Sequence, residues 1–316
     1  MRSQDRLVSA PERLILATPS GLMLRSMAFR WCSMSPVRFR RRRGPMADAC
    51  LGNRVHYLDI SREIEVFEAL AARDTEAKAR GVMLLPSVGF DVVPSDCLAA
   101  HLERRLPDAN DLKLYLSAGA NASRGTAKTM VEAIAAGTRL RRKGRIVSRD
   151  YAETGSCDFG KGKKQTIQVS WGDVATAFHS TGIPNIEVQF EASPAMIAFA
   201  RTPWFVKSFL GSDFMQRLLK SQVDWMPEGP SEATRRAGRA VLVGVARNKT
   251  GQAARSRLTT SEGYSLTAAT AFDAARRVAA GEVKPGFQTP SLAFGAGLHP
   301  QVRRSVARGR QQLSFC

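Results

Sequence analysis

From residue 46 to residue 106 the apolar positions change period several times, and each change marks an element. Met46 to Leu51 reads as the end of a helix, and Val55 to Ile60 as a short buried strand. From Glu63 to Arg80, Ile64, Phe67, Leu70 and Ala71 recur at helical spacing, and Gly81 stands where a C-cap belongs. Val82 to Val88 is almost continuously apolar, which predicts a strand covered on both faces. Pro94-Ser95-Asp96 then opens a helix carrying Leu98, His101, Leu102 and Leu106, with Ser95 or Asp96 as its expected cap. Strand, helix, strand and helix joined by short links predict a parallel sheet with helical crossovers.

After Leu106 the period becomes two. Leu112, Leu114 and Leu116 alternate with polar or amphipathic residues, and so do Ile167, Val169 and Trp171, and Ile186, Val188 and Phe190. Val241–Val245 and Arg255–Thr259 bracket the turn Asn248-Lys249-Thr250-Gly251. Such strands predict a mixed or antiparallel sheet with one exposed face. Helices are expected at about 125–136, ending at Gly137, and at about 265–280, ending at Gly281. The expected class is α/β, a partial Rossmann-type parallel sheet plus a second mixed or antiparallel α+β domain. Its expected segments are a leader (1–44), the remnant of a dinucleotide-binding domain (45–110), a mixed-sheet substrate or dimerisation domain with a C-terminal helix (111–297), and a basic tail (298–316).

Composition narrows the function classes. No stretch offers about twenty uninterrupted apolar residues, so no spanning helix is expected. Cys32, Cys50, Cys97, Cys157 and Cys316 are scattered, and no Cys-x-x-Cys pair or His cluster accompanies them. That argues against a zinc site and a disulfide framework and fits a reducing, cytoplasmic setting. The net charge of +19 invites a nucleic-acid reading, but its distribution weakens it. Residues 1–45 hold ten Arg and no Lys, with only Asp5 and Glu12 opposing them.

Neither helical nor strand periodicity persists in those 45 residues. One reading is an Arg- and Ser-rich transit peptide. A second is a basic arm that contacts phosphates through Arg38 and Arg40 to Arg43. The third, which we adopt, is translation of a GC-rich gene in the wrong frame. Reading the third base of each codon with the first two of the next permits, across Ala28–Arg40, a buried-strand pattern running into Ala-Gly-Pro-Phe.

Candidate chemistry is sparse. A dinucleotide needs glycines between a strand and a helix, where backbone N–H groups meet the pyrophosphate. Gly160-Lys161-Gly162 sits in a Lys-rich turn and reads as a hairpin loop, and Gly295-Ala296-Gly297 lacks the helix. Gly89-Phe90-Asp91 lies where a strand ends, the place where open parallel sheets bind ligands. Gly89 would allow close approach there, with Asp91 orienting a nicotinamide or substrate; the competing reading is a local loop and cap. Tyr57 is a candidate acid on a strand where Tyr is more often core, and Asp59 reads as a partner to a backbone donor. His56, His101, His179 and His299 are dispersed. Ala195–Leu219, with Trp204, Phe205, Phe209 and Phe214 among Arg201, Lys207 and Arg217, suits a buried helix pair, the reading preferred here. A membrane-surface seat or the wall of a lipid-like substrate pocket stays open.

Several stretches resemble the saccharopine-dehydrogenase-like oxidoreductases. They are Pro45–Leu51, Val55–Glu63, Gly81–Asp96 with its Gly-Phe-Asp-Val-Val-Pro-Ser-Asp run, Ser123–Ala127, Ser180–Asn185 and Pro285–Pro290. The Gly-Phe-Asp run is the most specific, and the subgroup it resembles includes trans-acting enoyl reductases of mycobacterial type. The resemblance implies a Rossmann domain, a mixed-sheet domain, and hydride transfer between NAD or NADP and a small-molecule substrate that it does not fix. The candidate catalytic residues are Asp91 and Tyr57, and the candidate cofactor contacts are Gly89, Phe90 and Ser95, chosen for their place at the strand ends and the following helix start; the resemblance adds weight to Gly89–Asp91. Two departures matter. No Gly-rich turn precedes Pro45, so the expectation is an N-terminally incomplete member with impaired cofactor binding. The family usually has Gly where this chain has Arg62. Peripheral membrane contact and a homodimer are carried as partner expectations, nucleic acid as the rival through the Arg-rich arm.

Overall fold

The computed structural model describes residues 46–118, 137–200, 202, 209, 212–223, 225, 229 and 231–295. The leader, the helix expected at 125–136 and the tail lie outside them.

The chain is α/β, with a three-stranded parallel sheet and a separate mixed sheet. Helical residues 46–52 form α1, followed by β1 (Tyr57–Leu58), α2 (Ile64–Ala71), α3 (Asp74–Arg80), β2 (Met83–Leu85) and α4 (Val93–Arg105). The strand expected at 55–60 shrinks to two residues because side chains take over the ladder on either side. His56 Nδ1 accepts from Met83 N (3.1 Å) before it, and Asp59 Oδ1 from Ser87 N (2.8 Å) after it. The helix expected at 63–80 is two helices with a turn at 72–73. Arg73 is anchored there to Asp48 (2.5 Å) and Glu76 (3.0 Å). Gly81 caps α3 at φ +66°, as its sequence position indicates.

The mixed sheet comprises β3 (Asp111–Ala118), β4 (Thr138–Arg142), β5 (Arg145–Arg149), β6 (Thr154–Asp158), β7 (Lys163–Gln168), β8 (Asn185–Glu191), β9 (Arg239–Arg247) and β10 (Ala253–Ser261). Its order is β10-β9-β3-β8-β4-β5, with β7 also on β8 and β6 on β7. Among the described strands of this sheet, only β3 and β8 pair in parallel. Helix α5 (Asp173–Thr181) enters β8, and α6 (Pro194–Ala200), α7 (Asp213–Val223) and α8 (Glu232–Ala237) lie between β8 and β9.

One face of this sheet packs on α4. Leu98 and Leu102 press on Gly244 of β9, where a Cβ would lie 2.5 Å from Leu102 Cδ1. On the other face the β6–β7 hairpin lays Cys157 and Phe159 over Val243 and Tyr115. The expected exposed face of β8 is therefore covered. Glu187 and Gln189 are buried; Glu187 forms ion pairs with Arg142 and Lys113 (2.9 Å), and Gln189 accepts from Thr166 (2.5 Å). Gly160 and Gly162 turn this hairpin at positive φ, so they are no phosphate loop.

The C-terminal elements return to the first sheet. Helix α9 (Gly263–Ala279) packs Ala271, Ala274 and Val278 on Met83, Leu85 and Val88. Then β11 (Gly286–Phe287) joins β2 in parallel, giving the order β1-β2-β11, and α10 (Pro290–Phe294) follows. The expected mixed-sheet segment, 111–297, includes these residues, but their pairing is with the first sheet. A two-residue strand carries no period, so its pairing was invisible.

Candidate active site at the crest of the parallel sheet

The carboxyl ends of β1 and β2 meet around Asp59. Its Oδ1 accepts from Ser61 N (2.8 Å), Ser61 Oγ (2.6 Å) and Ser87 N (2.8 Å), and its Oδ2 from Tyr57 Oη (2.5 Å). Its carbonyl accepts from Val88 N (2.8 Å), so Asp59 ties both strand ends together, the backbone role expected of it. Tyr57 is 3% exposed and donates its hydroxyl proton to Asp59. Ser87 holds φ at +58°, and its Oγ is buried without a hydrogen-bond partner among the described residues. A non-glycine residue in that region is strained, and such strain tends to gather at functional loops.

The next loop approaches protein. A Cβ on Gly89 would meet Thr267 of α9 at 3.0 Å, and Phe90 N donates to Thr267 Oγ1 (3.0 Å). Thr270 Oγ1 donates to Val88 O (2.7 Å). The Phe90 ring packs in a buried cluster with Ala240 and Leu266. The glycine thus admits a helix of this chain, and Phe90 anchors the loop to it.

Asp91, Asp96 and Asp173 gather where α4 and α5 begin. Asp91 is half-buried, and loss of water raises its pKa while the Arg62 guanidinium opposes the shift. Arg62 is thus the charge that moderates Asp91. Asp96 is buried and raised in turn, against hydrogen bonds from Ser180 and Ser291, whose N–H lies 2.7 Å from its Oδ2. Asp173 is buried and pushed up to about 8 by desolvation, Ser95 pulling it back while Asp91 and Asp96 push it further. It therefore holds a proton at neutral pH. Ser95 Oγ bonds Val92 O (3.0 Å) and Asp173 Oδ1, and Asp173 Oδ2 has no hydrogen-bond partner among the described residues. Neither Ser95 nor Asp96 caps α4, whose N-cap is Val92.

The crest thus brings together Tyr57 with Asp59, and Asp91 with Ser95 through Asp173. The turn Gly182–Asn185 does not join them. It lies at the far end of α5 from Asp173, roughly 13 Å along the helix. There Asn185 bonds Lys143 N (3.0 Å) and Asn110 O (2.8 Å). Asp173 was missed because an acidic residue after Trp171-Gly172 reads as an ordinary first-turn carboxylate. Its burial comes from α4, eighty residues upstream.

Comparisons with known proteins add little. No family model matches the chain, and no curated protein matches it. It is similar in structure to apo saccharopine dehydrogenase (L-Glu forming) from Saccharomyces cerevisiae, at 11% identity and a TM-score of 0.46 over 87% of this chain and 80% of that one. It is also similar to a meso-dapdh mutant with DAP from Clostridium tetani, at 14% identity and a TM-score of 0.38 over 90% and 80%. Likeness at this level carries no argument; the strand order itself makes the chain α/β.

The described crest does not fit a pyrophosphate. Anions bind helix N-termini that offer free backbone donors. At α4, Phe90 N and Val93 N already donate, to Thr267 Oγ1 and to Gly89 O (2.9 Å), and Pro94 has no N–H. Three carboxyl groups adjoin the same spot, and each one that ionises repels phosphate. No His, Cys, Asp and Glu group suited to a metal occurs among the described residues. Cys157 is buried and pushed up to about 11, which keeps it a thiol.

Proposed function

We propose that this chain is a saccharopine-dehydrogenase-like oxidoreductase scaffold whose hydride transfer with NAD or NADP is impaired. A nicotinamide would sit at the crest, between the Asp59–Ser61 and Ser87–Asp91 loops, with a small carbonyl- or enoyl-type substrate against the mixed sheet. One observation carries the reading. A parallel sheet ends in a strained, polar crest held by Asp59, and a mixed sheet packs beside it through α4. Ligands of open parallel sheets bind at that end. The impairment follows from the filled space at Gly89 and from the carboxyl groups at α4. In this site Asp173, buried and protonated at neutral pH, keeps a proton beside Ser95, and Arg62 holds Asp91 nearer its ionised state. Tyr57 orients Asp59 and does not face a substrate.

Hydrogen exchange in the presence of millimolar NADPH tests the placement. Protection concentrated at residues 59–61 and 87–91 is expected. Protection confined to other segments, or none at saturating cofactor, overturns the crest as the nicotinamide site.

A further inference from the structure

Helix α7 has two apolar stripes, and the protein covers one of them. Val223 is buried, and Leu219 and Met215, one and two turns earlier, are half-buried. The adjacent stripe faces outward. Phe214 is 68% exposed and Leu218 43%, Trp225 just beyond the helix is 92% exposed, and Phe209 just before it 61%. This overturns the buried-helix-pair reading of the segment for its outer half. Large aromatics bury roughly 150–250 Å² each, so these three leave on the order of 400 Å² of aromatic surface in water. That matches the largest apolar patch of an ordinary monomer.

We propose that this stripe is the docking surface for an anionic lipid bilayer. Charge selects the partner. Between residues 200 and 225, Arg201, Lys207, Arg217 and Lys220 interleave with the apolar residues, against only Asp213 and Asp224. The chain as a whole carries +19. Exposed aromatic and leucine side chains beside Lys and Arg are the composition of helices that lie in the headgroup boundary. Eleven residues make α7 about 16 Å long, too short to span. No helix of the described residues is long and apolar enough to cross a membrane. Docking requires Trp225, Phe214 and Leu218 to enter the acyl boundary while Arg217 stays at the phosphate level. The inference uses none of the residues placed at the crest and does not depend on the oxidoreductase reading.

Flotation of the full chain with vesicles of phosphatidylcholine and phosphatidylglycerol, against phosphatidylcholine alone, tests it. The wild type should float with the mixed vesicles and at least tenfold less with the neutral ones. The triple variant Phe214→Ser, Leu218→Ser, Trp225→Ser should keep the wild-type melting temperature, because these side chains are exposed, and lose at least about tenfold in vesicle affinity. A wild type that does not float overturns the proposal. So does a triple variant that floats equally well, which would move the contact to the Arg-rich leader. A vesicle-free dimer that the triple variant abolishes also overturns it, because the stripe would then bind a second copy.

Discussion

Asp173→Asn should make the protein more stable at pH 8 by more than at pH 5. The unfolded carboxyl has a pKa of 3.8 and the folded one about 8. Between these values the folded chain keeps a proton that the unfolded chain has lost. The stabilisation from holding that proton is complete below 3.8, falls as pH rises and is gone above about 8. One pH unit is worth about 1.4 kcal/mol, so the interval from 3.8 to about 8 sets an upper bound on the order of 6 kcal/mol. Water entry and side-chain relaxation reduce such penalties, and about 2–4 kcal/mol is expected. Asparagine keeps the acceptor for Ser95 and does not titrate. Urea melts from pH 5 to pH 9 should show the variant gaining on the wild type up to about pH 8 and running parallel above it. Curves that run parallel across the whole range would refute the buried, proton-holding carboxyl.

Gly244→Ala should cost about 1–3 kcal/mol in urea melts, because its Cβ would collide with Leu102 and Leu98 of α4; an unchanged midpoint contradicts that packing. Arg141 is buried and donates to Val174 O (3.0 Å), Gly144 O (2.7 Å) and Glu68, with its guanidinium 4.1 Å from the Phe178 centroid. Arg141→Ala should therefore cost about 3 kcal/mol, with hydrogen exchange loosening both at α2 and at β4; loosening confined to β4 would show that Glu68 is not held by it. His56 is lowered by burial and accepts from Met83 N as the neutral ring. Its contribution is present above the unfolded value of 6.5 and lost as pH falls through the lower folded value. His56→Gln keeps an acceptor without titrating, so the wild type should lose ground to it between pH 7 and pH 5; a pH-independent difference refutes the role.

The fold was legible where one residue's neighbours decide its state. Gly81 ends its helix, the Asn248–Gly251 turn joins β9 to β10, and Leu112, Leu114 and Leu116 bury alternately, each as its spacing says. Distant partners hid the rest. Glu187 and Gln189 stand on the face expected to meet solvent, but Arg142 and Lys113 pair with the buried Glu187 and the β6–β7 hairpin lies against Gln189. Gly89 read as room for a ligand, and Thr267, nearly 180 residues later, fills it. Phe287 gave no strand signal because its pairing depends on Asp74 holding its N–H (2.9 Å) as well as on β2. At the candidate site the sequence singled out Tyr57, Asp91 and Ser95. It could not show that Tyr57 serves Asp59, or that Ser95 meets Asp173 across two helices.

Calorimetric titration of the full chain with NADPH and with reduced nicotinamide mononucleotide tests the central claim most directly. The mononucleotide lacks the adenosine half and the pyrophosphate bridge. If the crest holds a nicotinamide but nothing cradles the pyrophosphate, the two should bind weakly and within about threefold of each other, under 1 kcal/mol apart. NADPH binding at micromolar concentration, a hundredfold or more tighter than the mononucleotide, would reveal a working phosphate cradle and contradict the account.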